Sequence, residues 1–437
     1  MILLDEDRKE LLEKIRDYAK THKHEIPANK VPVSGKVFDE EEIVNATDAI
    51  LEGWWTEGKY CAEFERSIAS YIGLPFATTV NSGSSANLVA FYSLTSHKLG
   101  EKRIKKGDEV ITAAAGFPTT INPIILFGAV PVFLDVELGT YNVSASDVEA
   151  AITKKTKAIF LAHTLGNPFG VEKLRKVADE NDVWLIEDSC DALGSEYNGK
   201  KTGSFGHIAT YSFYPAHQIT TAEGGAVLTK NPMLNKIIRS MRDWGRDCWC
   251  HTGQENTCQK RFSWKLGGLP KGYDHKYIYS EIGFNLKMTD IQAAIGFAQI
   301  KKLPKFVEKR RENFNYLKNR FIEEGLDQIF VLPHAEAKAN PSWFGFPLTI
   351  KNGINREKLL EDLNKHGIST RLLFAGNIIK QPYFTNNKID YRIFDRLENS
   401  DTVMEKTFWI GVYPALEKEN LEYSVKTIKK LVFGNDR

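Results

Sequence analysis

The sequence predicts an α/β protein: a mainly parallel sheet covered by helices on both faces, followed by a smaller α/β domain. Three observations predict it. Short β-rich runs alternate with helical stretches from about residue 36 to 230, as expected of strands joined by helical crossovers. The runs are nearly continuous in apolar residues, as strands buried on both faces are. A long helical pattern over 288–321 then separates this region from a final strand-and-helix segment.

Residues 1–35 read as an extension, a polar helix with Leu11, Leu12, Ile15 and Tyr18 at helical spacing followed by the Pro-punctuated connector IPANKVPVSG. The large domain is expected over 36–305. Its strands are FATTV before NSGSSANLVAFYSL, then DEVITA, VPVFLDVE, KAIFLAH, VWLIED, HIATYSF and GGAVLTK, with SASDVEAAITKKT and VEKLRKVADEND as helices between them. Residues 246–282 break the rhythm, and a loop this long is usually functional or disordered. The small domain, 306–437, opens in the long helix and contains WFGFPLTI as a strand and REKLLEDLNKHG as a helix ending at Gly367.

Composition removes several classes. With 58 Lys+Arg against 56 Asp+Glu among 437 residues, the charge of +2 provides neither a nucleic-acid grip nor a patch for anionic membranes. A 42% hydrophobic and 11% aromatic content suffices for large cores and excludes disorder. The N-terminus lacks the basic and apolar regions of a signal peptide, and no run approaches about 18 apolar residues. A soluble cytoplasmic protein is expected. Five cysteines are too few, and odd in number, for a disulfide framework. Cys248, Cys250 and Cys258 fall close together, and a reducing compartment would leave them free to bind a metal.

Three motifs carry chemistry. In NSGSSANLVAF, residues 81–91, a strand gives way to a helix through small residues, which suits either an anion at the helix N-terminus or an ordinary capped helix. In IEDSCDALGS, residues 186–195, Asp188 ends a buried strand. A carboxylate there can hold a pyridinium nitrogen protonated or simply cap the next turn. The third, SFYPAHQITTAEGGAV over 212–227, resembles the signature of the sugar aminotransferase and dehydratase family, which has the aspartate-aminotransferase fold, type I. That family places a Ser five residues before its cofactor lysine and a Glu-Gly-Gly after it. Ser212 and Glu223-Gly224-Gly225 match, and the lysine position holds His217. GKYCAEFERSIASYIG, GFPTTINPI and GFNLKMTDIQAAIGFAQI resemble further family blocks in the same order, so the resemblance runs from about Val31 onward.

The resemblance implies a fold-type I large domain and a two-fold homodimer with shared active sites. Gly83, Ser84 and Ser212 would hold the cofactor phosphate, helped by Asn285 of the partner subunit. Phe117 would lie on the pyridine ring, Asp188 would bond the ring nitrogen and Asp191 would lie near the phenolic oxygen. Imidazole forms no stable imine with the cofactor aldehyde, so the cofactor is expected non-covalently, as pyridoxamine 5′-phosphate, with His217 as catalytic base. A His here resembles the 3-dehydratases of nucleotide-linked 4-keto-6-deoxyhexoses. The other reading of His217 is an enzyme that has lost its activity with its lysine.

Cys190, Cys248, Cys250 and Cys258 form C-x57-C-x-C-x7-C. The spacing resembles the iron–sulfur branch of these dehydratases, in which a [2Fe–2S] cluster passes single electrons from an NADH-dependent flavoprotein reductase to the bound adduct. That branch implies a CDP-linked substrate. Structural zinc and unligated thiols are the competing readings, and Cys61 is assigned to packing. Trp244, Trp249 and Trp264 suit core filling better than a cluster or reductase surface. Lys260, Arg261, Lys265, Lys271 and Lys276 are solvated or meet an acidic partner. Arg371 is either a pyrophosphate ligand or a surface ion-pair residue. Rival functions are a cluster-free, glutamate-dependent dehydratase of the colitose type and a non-catalytic protein that kept the fold.

Overall fold

The computed structural model describes residues 5–21, 26–250, 252–351 and 353–434. Its largest sheet has eight strands in the order Phe76–Val80, Gly225–Thr229, Ile208–Ser212, Trp184–Asp188, Thr156–Ala162, Glu109–Ala113, Val130–Leu134 and Arg392–Ile393. Every neighbouring pair is parallel except those made by Gly225–Thr229, which runs antiparallel to both its neighbours. The chain therefore turns back after Ser212 without a helical crossover. The loop between Ser212 and Gly225, which carries His217, stays at the carboxyl edge of the parallel strands, where α/β sheets place their ligands.

Alternation along the strands builds a core on each face. Val80, Val110, Phe160, Ile186 and Val227 pack with Ala86, Val89 and Ala90 of helix Gly83–Ser93 and with Leu234, Ile237 and Ile238 of helix Pro232–Arg242. On the other face Ile111, Val132, Ile159 and Leu185 meet Val171, Leu174 and Ala178 of helix Val171–Glu180. Ala77, Ala209, Ala226 and Leu228 pack against Phe64 and Ile68 of helix Lys59–Ile72.

A second, antiparallel sheet of Phe330–Val331, Gly345–Ile350 and Thr407–Gly411 carries the C-terminal core. The 34-residue helix Asp290–Glu323, opened by a Thr289/Gln292 capping box, serves both cores. Its first half buries Ala293, Ile300 and Leu303 beside helix Lys59–Ile72, and its second half buries Phe314, Leu317 and Phe321 with the small sheet. The expected boundary at 305/306 thus falls inside one continuous helix, because that helix supplies apolar side chains to both cores. The two parts also exchange chain. Val31 bridges to Ile368 and packs in the C-terminal core, while Arg392–Ile393 pairs with Val132 and Phe133 at the edge of the large sheet. Among the described residues no helix is long and apolar enough to cross a membrane. The described part of 246–282 is turns, bends and isolated bridges around a single 3-10 turn, His275–Tyr277.

Candidate active site

A cavity of about 480 Å³ opens at the carboxyl edge of the large sheet. One end is a cradle of close backbone contacts. Ser82 caps helix Gly83–Ser93, its Oγ accepting from the Ser85 N–H at 3.0 Å. A Cβ on Gly83 would stand 2.4 Å from Ser212 Cβ, and one on Gly225 would stand 2.4 Å from the Ser82 carbonyl oxygen. Glycine at both positions therefore lets three segments meet, leaving Ser84 and Ser212 on the cavity wall at a helix N-terminus. This arrangement suits a phosphate.

Asp188 lies at the other end of the cradle wall, where its strand finishes. Its Oδ2 accepts from Asn87 Nδ2 at 2.8 Å and Thr120 Oγ1 at 2.7 Å, and its Oδ1 accepts from the Cys190 N–H at 3.1 Å. Asn87 is itself held, its Oδ1 accepting from Thr210 Oγ1 at 2.6 Å. The carboxylate is thereby fixed in one orientation. Phe117, at the N-cap of helix Pro118–Phe127, is 48% exposed and lines the cavity, with Phe374 edge-on to it at 5.9 Å. Sequence reading missed Asn87, Thr120 and Phe374. For Asn87 a signal was available: it follows Gly83 by four residues and so shares its helix face.

His217 and Asp191 share the cavity floor. His217 Nδ1 lies 3.4 Å from Asp191 Oδ1 and is buried without a hydrogen-bond partner. Burial, with a smaller contribution from the Arg310 charge, pushes the imidazole down to about 3, so it is a neutral base at physiological pH. Burial and then the Asp188 charge push the Asp191 carboxyl up to about 7. Arg310 is fully buried and donates to the His217 carbonyl at 3.1 Å, and to those of Trp343 and Phe344 at 3.1 and 3.3 Å. It is a positioning residue for the His217 loop that the sequence did not reveal. Gln218 also anchors this loop, donating to the carbonyls of Asp191 and Ser342.

Arg371 stands on the cavity wall, exposed, its backbone paired with Trp409. Among the described residues it makes no ion pair, so the surface salt-bridge reading finds no acidic partner. Asn285 does not line this chain's own cavity. It is exposed, next to Lys287, whose Nζ donates to its Oδ1 at 2.8 Å.

Cys190 is not part of the close group that Cys248, Cys250 and His275 form. Cys190 lies on the cofactor-cavity wall, beside Asp188, and burial followed by the Asp188 charge raises its thiol well above the ordinary value. Cys248, Cys250 and Cys258 gather instead around His275 on the insertion. Cys61 is buried among Phe64 and Ile68, as expected of a packing residue. Trp244 and Trp249 are 43% and 52% exposed and do not fill a core. Arg261 and Lys276 pair with acidic neighbours on their own segment.

Sheet order, cavity and edge position define a fold-type I, aspartate-aminotransferase-like enzyme fold. The chain belongs to the DegT/DnrJ/EryC1/StrS aminotransferase family, matched over residues 36–429. It is 54% identical over 406 residues, 92% of each chain, to the lipopolysaccharide biosynthesis protein RfbH of Salmonella typhimurium. It is 50% identical over 431 residues, 97% of this chain and 91% of the relative, to a dTDP-4-dehydro-2,6-dideoxy-D-glucose 3-dehydratase of Saccharopolyspora spinosa. Among solved structures, an E. coli GDP-4-keto-6-deoxy-D-mannose-3-dehydratase with bound hydrated PLP superimposes with a TM-score of 0.80 at 28% identity, covering 93% of this chain and 100% of that one.

Proposed function

We propose that this protein is a pyridoxamine-phosphate-dependent 3-dehydratase of a nucleotide-linked 4-keto-6-deoxyhexose, working in 3,6-dideoxysugar or lipopolysaccharide biosynthesis. The observation that carries the proposal is His217: among the described residues no lysine lines the cavity, and a neutral imidazole stands in the loop where the family has its cofactor lysine. The fit to the cofactor rests on the Gly83–Ser212 cradle for a phosphate and the fixed Asp188 carboxylate for a protonated ring nitrogen. When bound, such a cofactor supplies an amine for the sugar ketone and an electron sink for loss of the C3 hydroxyl.

The chain's own groups do the rest. Ser84, Ser212 and the helix N-terminus bind the phosphate, Phe117 covers the ring, and Asp188 sets its orientation. His217 removes a proton at the cofactor's C4′ carbon and holds it next to Asp191. Asn285 and the exposed Ile282, Tyr277 and Tyr279 before it support a homodimer in which the partner subunit completes each site. CDP as the nucleotide, an iron–sulfur centre on the insertion and an NADH-dependent flavoprotein reductase as electron donor extend the proposal. Their support is the sequence resemblance and the thiols gathered on residues 248–258.

A second reading is favoured by one observation, the likeness to a GDP-4-keto-6-deoxymannose-3-dehydratase structure with a trapped PLP–glutamate geminal diamine: a dehydratase that regenerates its cofactor with glutamate and uses no reductase. The test of the main proposal is His217→Asn with CDP-4-keto-6-deoxy-D-glucose carrying ¹⁸O at C3. Loss of label release with cofactor binding retained is expected, and label release at the wild-type rate would overturn the role of His217. Reduction that needs glutamate and no reductase would select the second reading.

A further inference from the structure

His217 stands in a partition between two cavities. One is the catalytic cavity, and the other is a chamber of about 10 Å³. Two stretches of chain build the partition by dividing their residues between the two spaces. In the connector, Val33 and Ser34 line the catalytic cavity, whereas Gly35, Lys36 and Val37 line the chamber. In the loop after Ser212, Tyr214 and Ala216 line the cavity, whereas Pro215 and Gln218 line the chamber. His217 lines both, and no other residue of either wall does. The exposed Lys36, beside the part-buried Pro215 and Pro414, puts the outer end of the chamber at the surface.

The inner wall of the chamber carries polar atoms that the protein leaves unpaired. Arg310 is 1% exposed and uses Nη1 and Nη2 on three carbonyls, but its Nε is buried with no partner among the described residues. Gln218 is 2% exposed and commits Nε2 to the carbonyls of Asp191 and Ser342, while its Oε1 is buried and unpartnered. A donor without an acceptor and an acceptor without a donor thus belong to the wall of one space. Buried polar groups are as a rule paired, with protein or with ordered water. A water molecule accepts from Arg310 and donates to Gln218, and about 10 Å³ is the space that one water takes. Pro215 and Pro414, having no N–H, offer no competing backbone donor. His217 Nδ1 is a third unpartnered atom of this wall's residues.

We infer that the chamber binds an ordered water between Arg310 Nε and Gln218 Oε1, and that this water exchanges the proton on His217 with solvent by a route separate from the catalytic cavity. The inference rests on the proposed role of His217 as base. An imidazole that has taken a proton from carbon must give it up before it can act again. The imidazolium N–H bond breaks, the proton joins the water, and one of that water's protons passes to solvent at the Lys36 end, which restores neutral imidazole and water. Burial favours the neutral ring, so the transfer runs in this direction. Gln218 and Arg310 are positioning residues for the water.

The test uses CDP-4-keto-3,6-dideoxy-D-glucose, which has no C3 hydroxyl to expel. With it, full-length protein holding pyridoxamine phosphate exchanges the cofactor's C4′ proton only through the base. Deuterium entering C4′ in heavy water is followed by mass spectrometry of the recovered cofactor for wild type, Gln218→Met and His217→Asn. Exchange in wild type, and slowing by about 10-fold or more in Gln218→Met, is expected. Release of ¹⁸O from the C3-labelled substrate should fall less than this exchange does, whereas a merely displaced His217 would slow both alike. A crystal structure of the wild-type protein should show the water bonded to Arg310 Nε and Gln218 Oε1. Exchange unaffected by Gln218→Met, equal slowing of both rates, or a chamber without that water would each overturn the inference. Should Gln218→Met lose the cofactor, the wild-type structure decides it. Exchange that persists in His217→Asn would instead overturn the proposed role of His217, so the two failures are distinguishable.

Discussion

The buried pair of His217 and Asp191 sets opposing pH dependences, and Asp191→Asn separates them. Burial and the Asp188 charge push the Asp191 carboxyl from 3.8 up to about 7 in the folded chain. Between these values the unfolded chain is ionised here while the folded chain keeps its proton, so stability falls as pH rises through that window and stays low above it. At about 1.4 kcal/mol per pH unit, the interval from 3.8 to about 7 amounts to about 4 kcal/mol. His217 acts in the opposite sense. Its imidazole is pushed from 6.5 down to about 3, so the unfolded chain binds the extra proton and stability rises with pH between those values. In the wild-type protein the two contributions nearly cancel from about pH 4 to 6.5. Asn at 191 leaves only the rise. Urea unfolding of the cofactor-free protein, at equal chain concentration, should show the variant gaining about 3 kcal/mol over wild type between pH 5 and pH 8. An unchanged difference at the two pH values would refute the reasoning, since Asp191 would then ionise normally in the folded site.

Two further outcomes are expected from the same geometry. Gly83→Ala forces a methyl against Ser212, at a distance where carbon atoms overlap. Overpacking of this kind costs about 1–3 kcal/mol, so absorbance titration should show pyridoxamine phosphate binding weakened by about 5- to 150-fold. Arg310→Met leaves the carbonyls of His217, Trp343 and Phe344 without their donor. A loss of about 2–4 kcal/mol by urea unfolding is expected. The acidic limb of the dehydration rate should also move modestly to higher pH, because the Arg310 charge, the smaller contribution after burial to holding the His217 imidazole down, is gone.

The strands of the large sheet were legible because burial on both faces makes them apolar runs, which alternate with helices at a regular spacing. Direction was not legible in the same way. GGAVLTK reads like its parallel neighbours, and only the loop after Ser212 makes Gly225–Thr229 antiparallel. The two-residue strand Arg392–Ile393 has no periodicity to read, and its place beside Val130–Leu134 is a tertiary outcome. The boundary at 305/306 lies inside the long helix that links the two cores. A helix that serves two cores shows one continuous helical pattern, and nothing in that pattern says where its partners change.

The site divides along the same line between local and long-range information. Gly83, Ser84, Asp188, Ser212 and His217 lie in short motifs at strand ends, and the fold brings them to one cavity because those ends share an edge of the sheet. The residues that tune them come from elsewhere in the chain. Thr120 reaches Asp188 across 68 positions and Arg310 reaches the His217 loop across 93, and no spacing rule links such pairs. The cysteines show the limit of a spacing motif. C-x57-C-x-C-x7-C counts Cys190 with three other thiols, but it does not say that Cys190 lines the cofactor cavity while Cys248 and Cys258 lie beside His275. His275 carries no motif of its own, so only burial and its two sulfur contacts mark it. A spacing motif counts residue types along the chain, whereas a ligand set is decided by which side chains the fold leaves facing the same point.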